Sequence, residues 1–160
     1  MKKKPVAIVT TVYLKKLDPD QELSIRHLNH FIGHYDKFAL IPEGSGFGLP
    51  GFMNKEFPRE YFKDAASNAQ LLIAPMLYEA FREYEYILLY ELDALVFSDQ
   101  MMHWVNKGYD YIGAPWIKSQ MVKRYDYPDA VGNGGFALRK VDSFLKVLHN
   151  ASHPWKCIWR

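Results

Sequence analysis

The chain has only one cysteine and no long apolar run. A single cysteine, Cys157, excludes a disulfide within the chain and indicates a reducing compartment. No stretch approaches the roughly 20 apolar residues that a membrane-crossing helix needs. Lys2–Lys4 followed by Val6–Val9 resembles the start of a signal peptide, but the apolar segment is short and no small-residue cleavage site follows it. We therefore predict a cytoplasmic protein, with the membrane surface as an alternative place within the cytoplasm.

A strong net charge is also missing. The formal net charge is +2, and apart from Lys2–Lys4 the basic residues are spread along the chain. No basic stripe of the kind that binds nucleic acid is present, so we expect no nucleic-acid partner. The 160 residues suffice for one domain with a hydrophobic core and leave little room for a second. Apolar residues make up 49% of the chain, which is typical of a folded protein, and we predict a single domain over residues 1–160.

The order of predicted elements indicates an α/β fold. Asp18-Pro19-Asp20-Gln21 supplies an N-cap, a proline at the first helical position and a capping-box partner. Loops are predicted at Pro42–Gly51, from its glycines and prolines, and at Lys118–Ala130. Strands are predicted at Val6–Tyr13, Lys37–Ile41, Tyr86–Tyr90, Tyr109–Trp116 and Phe136–Leu138, and helices from Asp18 to His34, from Pro75 to Tyr84, from Asp99 to Asn106 and from Val141 to His149. Strands that alternate with helices predict a three-layer domain with a mostly parallel sheet.

Two carboxylates follow the most apolar of these strands. Tyr86–Tyr90 has the composition of a strand that is covered on both faces, and Glu91 and Asp93 come directly after it. In an extended chain they point the same way, while Leu92 points into the core. Two neighbouring anions repel each other unless a cation is present, so the pair predicts a divalent metal site whose shell is completed by phosphates. The structural alternative is a pair of surface carboxylates that cap the next turn.

A glycine string, Gly132-Asn133-Gly134-Gly135, precedes the last strand. A phosphate-binding glycine loop should lead into a helix, whereas this string leads into Phe136–Leu138, so a nucleotide P-loop is rejected. The glycines would let a ligand approach the backbone closely, with Asn133 offering donors and an acceptor. The alternative is a tight turn that needs positive φ. Trp116, at a predicted strand end, either stacks on a sugar or base or packs at the rim.

The other residues that could carry chemistry do not indicate a functional site. His27, His30 and His34 share one face of the first helix, and we interpret them as its polar flank rather than as a metal site. A phosphotransferase with an aspartyl nucleophile would need Asp where Glu91 stands. Cys157 has no adjacent base, and we expect it to be inert.

Several strings resemble, in order, a family of bacterial proteins inferred to be glycosyltransferases and labelled as a domain of unknown function. The resemblance extends from about Val6 to Leu148. The strings are Ser24-Ile25-Arg26, Tyr84-Glu85-Tyr86-Ile87-Leu88, Leu92-Asp93-Ala94, Gly108-Tyr109-Asp110-Tyr111-Ile112-Gly113-Ala114-Pro115-Trp116 and Gly132-Asn133-Gly134-Gly135-Phe136-Ala137-Leu138-Arg139-Lys140. The resemblance implies the Rossmann-like GT-A fold of nucleotide-diphospho-sugar transferases.

The resemblance also implies roles for individual residues. In GT-A enzymes an acidic motif at a strand end holds a divalent metal, Mn²⁺ or Mg²⁺, that bridges the diphosphate of the donor. By this likeness Asp93 is the metal-side carboxylate and Glu91 occupies the first, ribose-facing position. The other implied contacts are Thr10, Thr11 and Tyr13 with the nucleoside, and Asn133, Gly134 and Gly135 with the transferred or acceptor sugar. Trp116, from its place at a strand end, is a further candidate for the sugar.

The function expected from this resemblance is transfer of a sugar from a nucleotide-sugar donor to a glycan acceptor, as in surface polysaccharide synthesis. The alternative is a non-catalytic module of the same fold that binds a sugar nucleotide or a glycan. Relative to the family the chain is short at its C-terminal end, where the general base of such enzymes often lies, so weak activity is expected of this form alone. Trp155 and Trp159 suggest a protein partner there, and Asp110 and Asp126 are candidate bases within the chain.

Overall fold

A computed structural model describes residues 2–12, 16–115 and 131–150, and every structural statement below concerns these residues. Six strands form one mixed sheet in the order β3-β2-β1-β4-β6-β5. The neighbours β3–β2, β2–β1 and β1–β4 are parallel, while β6 is antiparallel to both β4 and β5. The strands are β1 (Lys4–Thr11), β2 (Asp36–Pro42), β3 (Met53–Phe57), β4 (Tyr84–Tyr90), β5 (Tyr111–Pro115) and β6 (Val131–Lys140). The predicted α/β class and mostly parallel sheet are confirmed.

Five α-helices and one short 3₁₀ helix accompany the strands among the described residues. Asp18 caps the first helix, and the capping box with Gln21 forms as predicted. The helix predicted from Pro75 to Tyr84 is shorter, because its regular turns end at Glu79. The helices are α1 (Pro19–Ile32), the 3₁₀ helix Arg59–Phe62, α2 (Ala65–Leu71), α3 (Pro75–Glu79), α4 (Met101–Val105) and α5 (Val141–Asn150).

Helices cover both faces of the sheet. On one face, α2, α3 and α5 pack on alternate side chains of the central strands, with Leu77 and Leu145 against Val9 and Leu89. On the other face α1 and α4 pack on the intervening side chains, which include Ile8, Leu88 and Leu138. Since β4 contributes to both clusters, its side chains from Tyr86 to Tyr90 are buried throughout. This explains the apolar run that the sequence shows there.

Two strands differ from the sequence-based prediction. β3 was not predicted, because it is an edge strand in which only Phe57 is buried, and its sequence has no alternating apolar pattern. β6 is longer than Phe136–Leu138 and contains the whole glycine string, which is therefore strand rather than loop. Its register against β5 shifts between Gly113 and Pro115, where extra residues of β6 bulge outward. Pairing with β4 and β5 thus overrides the low strand propensity of the glycines.

Helix length and apolarity give no membrane-spanning candidate within the described ranges.

Candidate functional site

The carboxyl ends of β1 and β4 lie side by side at the point where the sheet changes direction. β1 is followed by β2 on one side, whereas β4 lies on the other side of β1. In open α/β sheets, ligands bind in the crevice at such a switch point. The parallel register pairs Val9 with Leu89, so the chain ends of the two strands, with Thr11 at the end of β1 and Glu91 directly after β4, are neighbours. The predicted acidic pair therefore lies where this topology places a ligand.

Glu91 and Asp93 belong to a tight turn rather than to an extended strand. β4 ends at Tyr90, and the Ala94 N–H donates to the Glu91 carbonyl oxygen at 3.0 Å. The prediction of two carboxylates on one face of an extended chain is therefore wrong in its geometry, because the chain must reverse at the edge of the sheet. Leu92 does pack against the apolar core, as predicted. Both carboxylate-bearing residues are exposed at the rim.

The far end of this turn is anchored by hydroxyl groups that the sequence reasoning did not select. The Ala94 carbonyl oxygen accepts from Ser24 Oγ at 2.7 Å and from Tyr90 Oη at 2.8 Å. These two hydroxyls also lie 2.8 Å apart, and both residues are buried. Two residues further along, His27 Nδ1 lies 3.0 Å from the Val96 carbonyl oxygen. Helix α1 and strand β4 together therefore hold the acidic turn in place.

The glycines of β6 form the wall beside the turn. The Glu91 N–H donates to the Gly135 carbonyl oxygen at 2.7 Å. A Cβ atom on Gly135 would lie 2.6 Å from Glu91 Oε2, so a side chain at that position would displace the end of the Glu91 side chain. A Cβ atom on Gly134 would lie 3.2 Å from Nη2 of Arg139. Space, rather than the positive φ of a tight turn, accounts for both glycines, since neither has a φ in the left-handed region.

Arg139 is the functional candidate that the sequence analysis missed. Its residue surface is only 7% exposed, although it carries a full positive charge. Nη1 donates to the Leu72 carbonyl oxygen at 2.7 Å and to Tyr78 Oη at 2.8 Å. The sequence does contain a signal: Gly135, Ala137 and Arg139 are every second residue of a strand and share one face of β6, so a charged residue follows two small ones on that face. Because the strand was predicted to end at Leu138, Arg139 was not recognised as part of it.

Both burial and charge at the turn disfavour ionisation of the Glu91 carboxyl. Partial burial raises the pKa of the Glu91 carboxyl above its ordinary value, and the nearby charge of Asp93 raises it further. The positive charge of Arg139 acts in the opposite direction and lowers this pKa. The ionised form of the Glu91 carboxyl is thus less favourable than that of a free glutamate.

A pH prediction follows for the protein in EDTA. A carboxyl whose pKa is raised by folding binds more protons in the native state, so its contribution to the free energy of unfolding falls as the pH rises through that window. The Tm of the wild type relative to that of Glu91→Gln, which cannot ionise, should therefore fall as the pH rises above 4.5, the ordinary value for a Glu carboxyl. Thermal melts of both proteins across pH 4–8 measure the difference. If the two Tm profiles run parallel, folding does not raise the pKa of the Glu91 carboxyl.

The other predicted site residues are distributed unevenly. Thr10 is 2% exposed, on the α1 side of the sheet, and its Oγ1 has no hydrogen-bond partner among the described residues. Thr11, at the end of β1, is half-buried. Asn133 lies in β6, where its backbone pairs with Ala114, and its side chain is outside the described part. Outside the described residues altogether are Tyr13, Trp116, Asp126, Trp155, Cys157 and Trp159.

Asp110, a candidate base, lies at the opposite end of the sheet. Its carbonyl oxygen accepts from the Lys140 N–H at 2.9 Å, and its carboxylate accepts from Ser143 Oγ at 2.6 Å. Lys140 is five residues along β6 from Gly135, a separation of about 16 Å at roughly 3.3 Å per residue. Asp110 therefore cannot act on a ligand bound at the acidic turn.

The metal-ligating residues of the described part are dispersed. No group of three or more His, Cys, Asp or Glu side chains comes together there. The three histidines of the α1 region have separate partners, as His34 Nε2 lies 3.3 Å from Asp99, His27 contacts Val96, and the His30 ring packs on Phe31. A cation at the turn would therefore depend on the two carboxylates of Glu91 and Asp93 together with oxygens from a ligand.

Comparison with known proteins places the chain in a family. No curated protein matches it. The profile of the DUF5672 family, which is described as a protein of unknown function, matches residues 51–156. The match begins before β3, includes the acidic turn, the glycines of β6 and Arg139, and spans about two thirds of the 160 residues. The chain therefore belongs to the DUF5672 family.

Proposed function

We propose that this protein is a metal-assisted glycosyltransferase of GT-A type, which moves a sugar from a nucleotide-sugar donor to a glycan or similar acceptor. The observation that carries the proposal is the Glu91–Asp93 turn at the carboxyl end of β4, beside the end of β1 at the switch point of the sheet. A nucleotide bound there would have the acidic turn at its diphosphate and Thr11 close to it. The resemblance of the sequence strings to bacterial glycosyltransferase-like proteins supports the same function.

The residues of the turn fit a divalent cation. Glu91 and Asp93 are exposed, and they lie two residues apart in the same tight turn. Mg²⁺ and Mn²⁺ favour oxygen ligands, and Mg²⁺ is commonly held by one or two carboxylates plus substrate phosphates. A bound cation would neutralise charge on the departing nucleoside diphosphate. Asp93 and Glu91 would be its protein ligands.

The glycines of β6 support a sugar at the same place. Gly134 and Gly135 carry no Cβ, and the atoms nearest to them are the ends of the Arg139 and Glu91 side chains, so a polar ligand that contacts these two groups would lie close to the backbone of β6. Sugar hydroxyls would meet carboxylate acceptors from one side and guanidinium donors from the other. We place the transferred sugar here, between the turn and β6.

The alternative function is a binding module of the same fold without catalysis. The position of Asp110 favours this alternative. Asp110 is the candidate base within the described residues, but it lies at the opposite end of the sheet from the acidic turn and accepts a hydrogen bond from Ser143. Such a module would bind a sugar nucleotide or a glycan and transfer nothing.

A calorimetric screen tests the proposal. Purified protein is titrated with UDP-, GDP-, dTDP- and CMP-sugars, each in Mn²⁺ and in EDTA, and transfer is followed by release of the free nucleotide. The proposal expects one nucleotide class to bind in a Mn²⁺-dependent way. Binding without transfer to any acceptor would favour the module, while no binding of any sugar nucleotide would reject both the glycosyltransferase and a module that binds sugar nucleotides.

A further inference from the structure

The guanidinium of Arg139 is held by the protein through one nitrogen only. Both donors of Nη1 are accounted for by the Leu72 carbonyl and the Tyr78 hydroxyl. Nε is buried and has no acceptor among the described residues, and no acceptor there is bonded to Nη2. Nε–H and one N–H of Nη2 form the edge of a guanidinium that binds a carboxylate or phosphate with two parallel hydrogen bonds. That edge is unused within the described part of the chain.

The orientation of this edge is fixed. The rings of Phe144 and Tyr111 lie 5.2 Å and 5.8 Å from the guanidinium carbon, which is within the range of cation–π contact. Nη2 lies beside Gly134, since a Cβ atom on that glycine would be 3.2 Å from it. The next residue, Gly135, borders the Glu91 carboxylate. Nη2, one end of the unused edge, therefore lies beside the glycines of β6 that border the acidic turn.

The charge of Arg139 also has no close counter-ion. None of the ion pairs within 4.0 Å among the described residues includes it, and Glu91 influences it only from a longer distance. A buried cation without an anion is costly, because its lost hydration is not replaced. A positive charge that is buried, oriented and only partly hydrogen-bonded is what a ligand oxyanion would complete.

We propose that Arg139 binds an oxyanion of the ligand through Nε and Nη2. This inference rests on the proposed function only in placing that oxyanion within a sugar nucleotide. The oxyanion is either the carboxylate of an acidic sugar or a phosphate oxygen of the donor, and both present the same chemistry to the guanidinium. Tyr78 is a positioning residue, since it holds Nη1 and does not reach the edge that binds.

The test uses the whole chain in EDTA with simple anions. Thermal shift and calorimetry measure binding of inorganic pyrophosphate, glucuronate and, as the neutral counterpart, glucose. At least one of the two anions is expected to bind and to raise the Tm, while glucose does neither. Binding of pyrophosphate alone assigns the oxyanion to the phosphates, and binding of glucuronate assigns it to an acidic sugar.

Variants identify Arg139 as the binding group. Arg139→Lys keeps the charge but loses the planar edge, and it should bind the anion at least tenfold more weakly, a change of about 1.4 kcal/mol. Gly134→Ala keeps the arginine but puts a methyl group 3.2 Å from Nη2, so that the guanidinium must shift slightly, and it should reduce binding in the same direction. Arg82→Lys, at an exposed arginine that lies 3.9 Å from Glu79, is the matched control and should bind as the wild type does.

Two results would overturn the proposal. One is that neither anion binds the wild type, and the other is that Arg139→Lys and Gly134→Ala bind the anion as tightly as Arg82→Lys. If Arg139→Lys does not fold, Gly134→Ala decides. The metal-free format separates this inference from the proposed function, because loss of Mn²⁺-dependent nucleotide binding would leave the result with the anions unchanged.

Discussion

Asp93→Asn should weaken Mn²⁺-dependent UDP binding at least tenfold, or about 1.4 kcal/mol. Asp93 is exposed in the turn after β4, so asparagine fits the same space, but the substitution removes one of two anionic oxygen ligands of the proposed cation. The measurement is calorimetric titration of UDP into wild type and variant, in Mn²⁺ and in EDTA. In EDTA the two proteins should differ little.

Asp142→Asn supplies the control for this experiment. Asp142 is an exposed aspartate at the start of α5, where it pairs with Lys3 at 2.5 Å, and an exposed pair of this kind contributes little to stability. Its replacement should leave UDP binding unchanged. Equal UDP affinity of the wild type in Mn²⁺ and in EDTA would remove the metal from the proposed function.

Gly135→Ala should disrupt the site through a single methyl group. The new Cβ would lie 2.6 Å from Oε2 and 3.0 Å from Cδ of Glu91, so the carboxylate must move away from its place beside β6. The displaced atoms are the end of a flexible, exposed side chain, so we expect little change in the Tm. Mn²⁺-dependent UDP binding should fall about tenfold or more, a change of about 1.4 kcal/mol, since Glu91 is displaced together with its charge.

The matched control is Gly48→Ala. There a methyl group would lie 3.1 Å from the Asn54 side chain, a milder contact with the end of another side chain, at a residue outside the proposed site. Melting curves check that both variants fold, and titration with UDP in Mn²⁺ compares their binding. If Gly135→Ala binds UDP as well as Gly48→Ala does, the contact between Gly135 and Glu91 has no part in ligand binding.

The core of the fold could be predicted because its signals are local. The apolar run Tyr86–Tyr90 identified the central strand, and Asp18 with Gln21 identified the start of α1. The break before α3 shows the limit of such signals. Ala74 precedes Pro75 and is therefore held in an extended conformation, φ −82° and ψ 135°, so that the segment divides into α2 and α3.

The arrangement of the site could be predicted only in part. Tyr86–Tyr90 and the acidic residues after it located the site at the end of a central strand, since a buried strand and the charges that end it are adjacent in the sequence. The turn itself was not foreseen, because the bonds that close and hold it come from Ala94, from Tyr90 and from Ser24 in a distant helix. Contacts between residues 70 apart in the chain leave no periodic signal.

The sequence by itself determined the α/β class, the central strand, the acidic pair and the glycines of β6, because each depends on residue type and on neighbours within a few positions. The tertiary structure alone decided which of these meet. It placed β6 antiparallel to β4, so that Gly135 lies against Glu91 and Nη2 of the buried Arg139 lies beside the glycines that border the same turn. The physical reason is that strand order and register are set by burial over the whole sheet, through contacts between residues far apart in the chain.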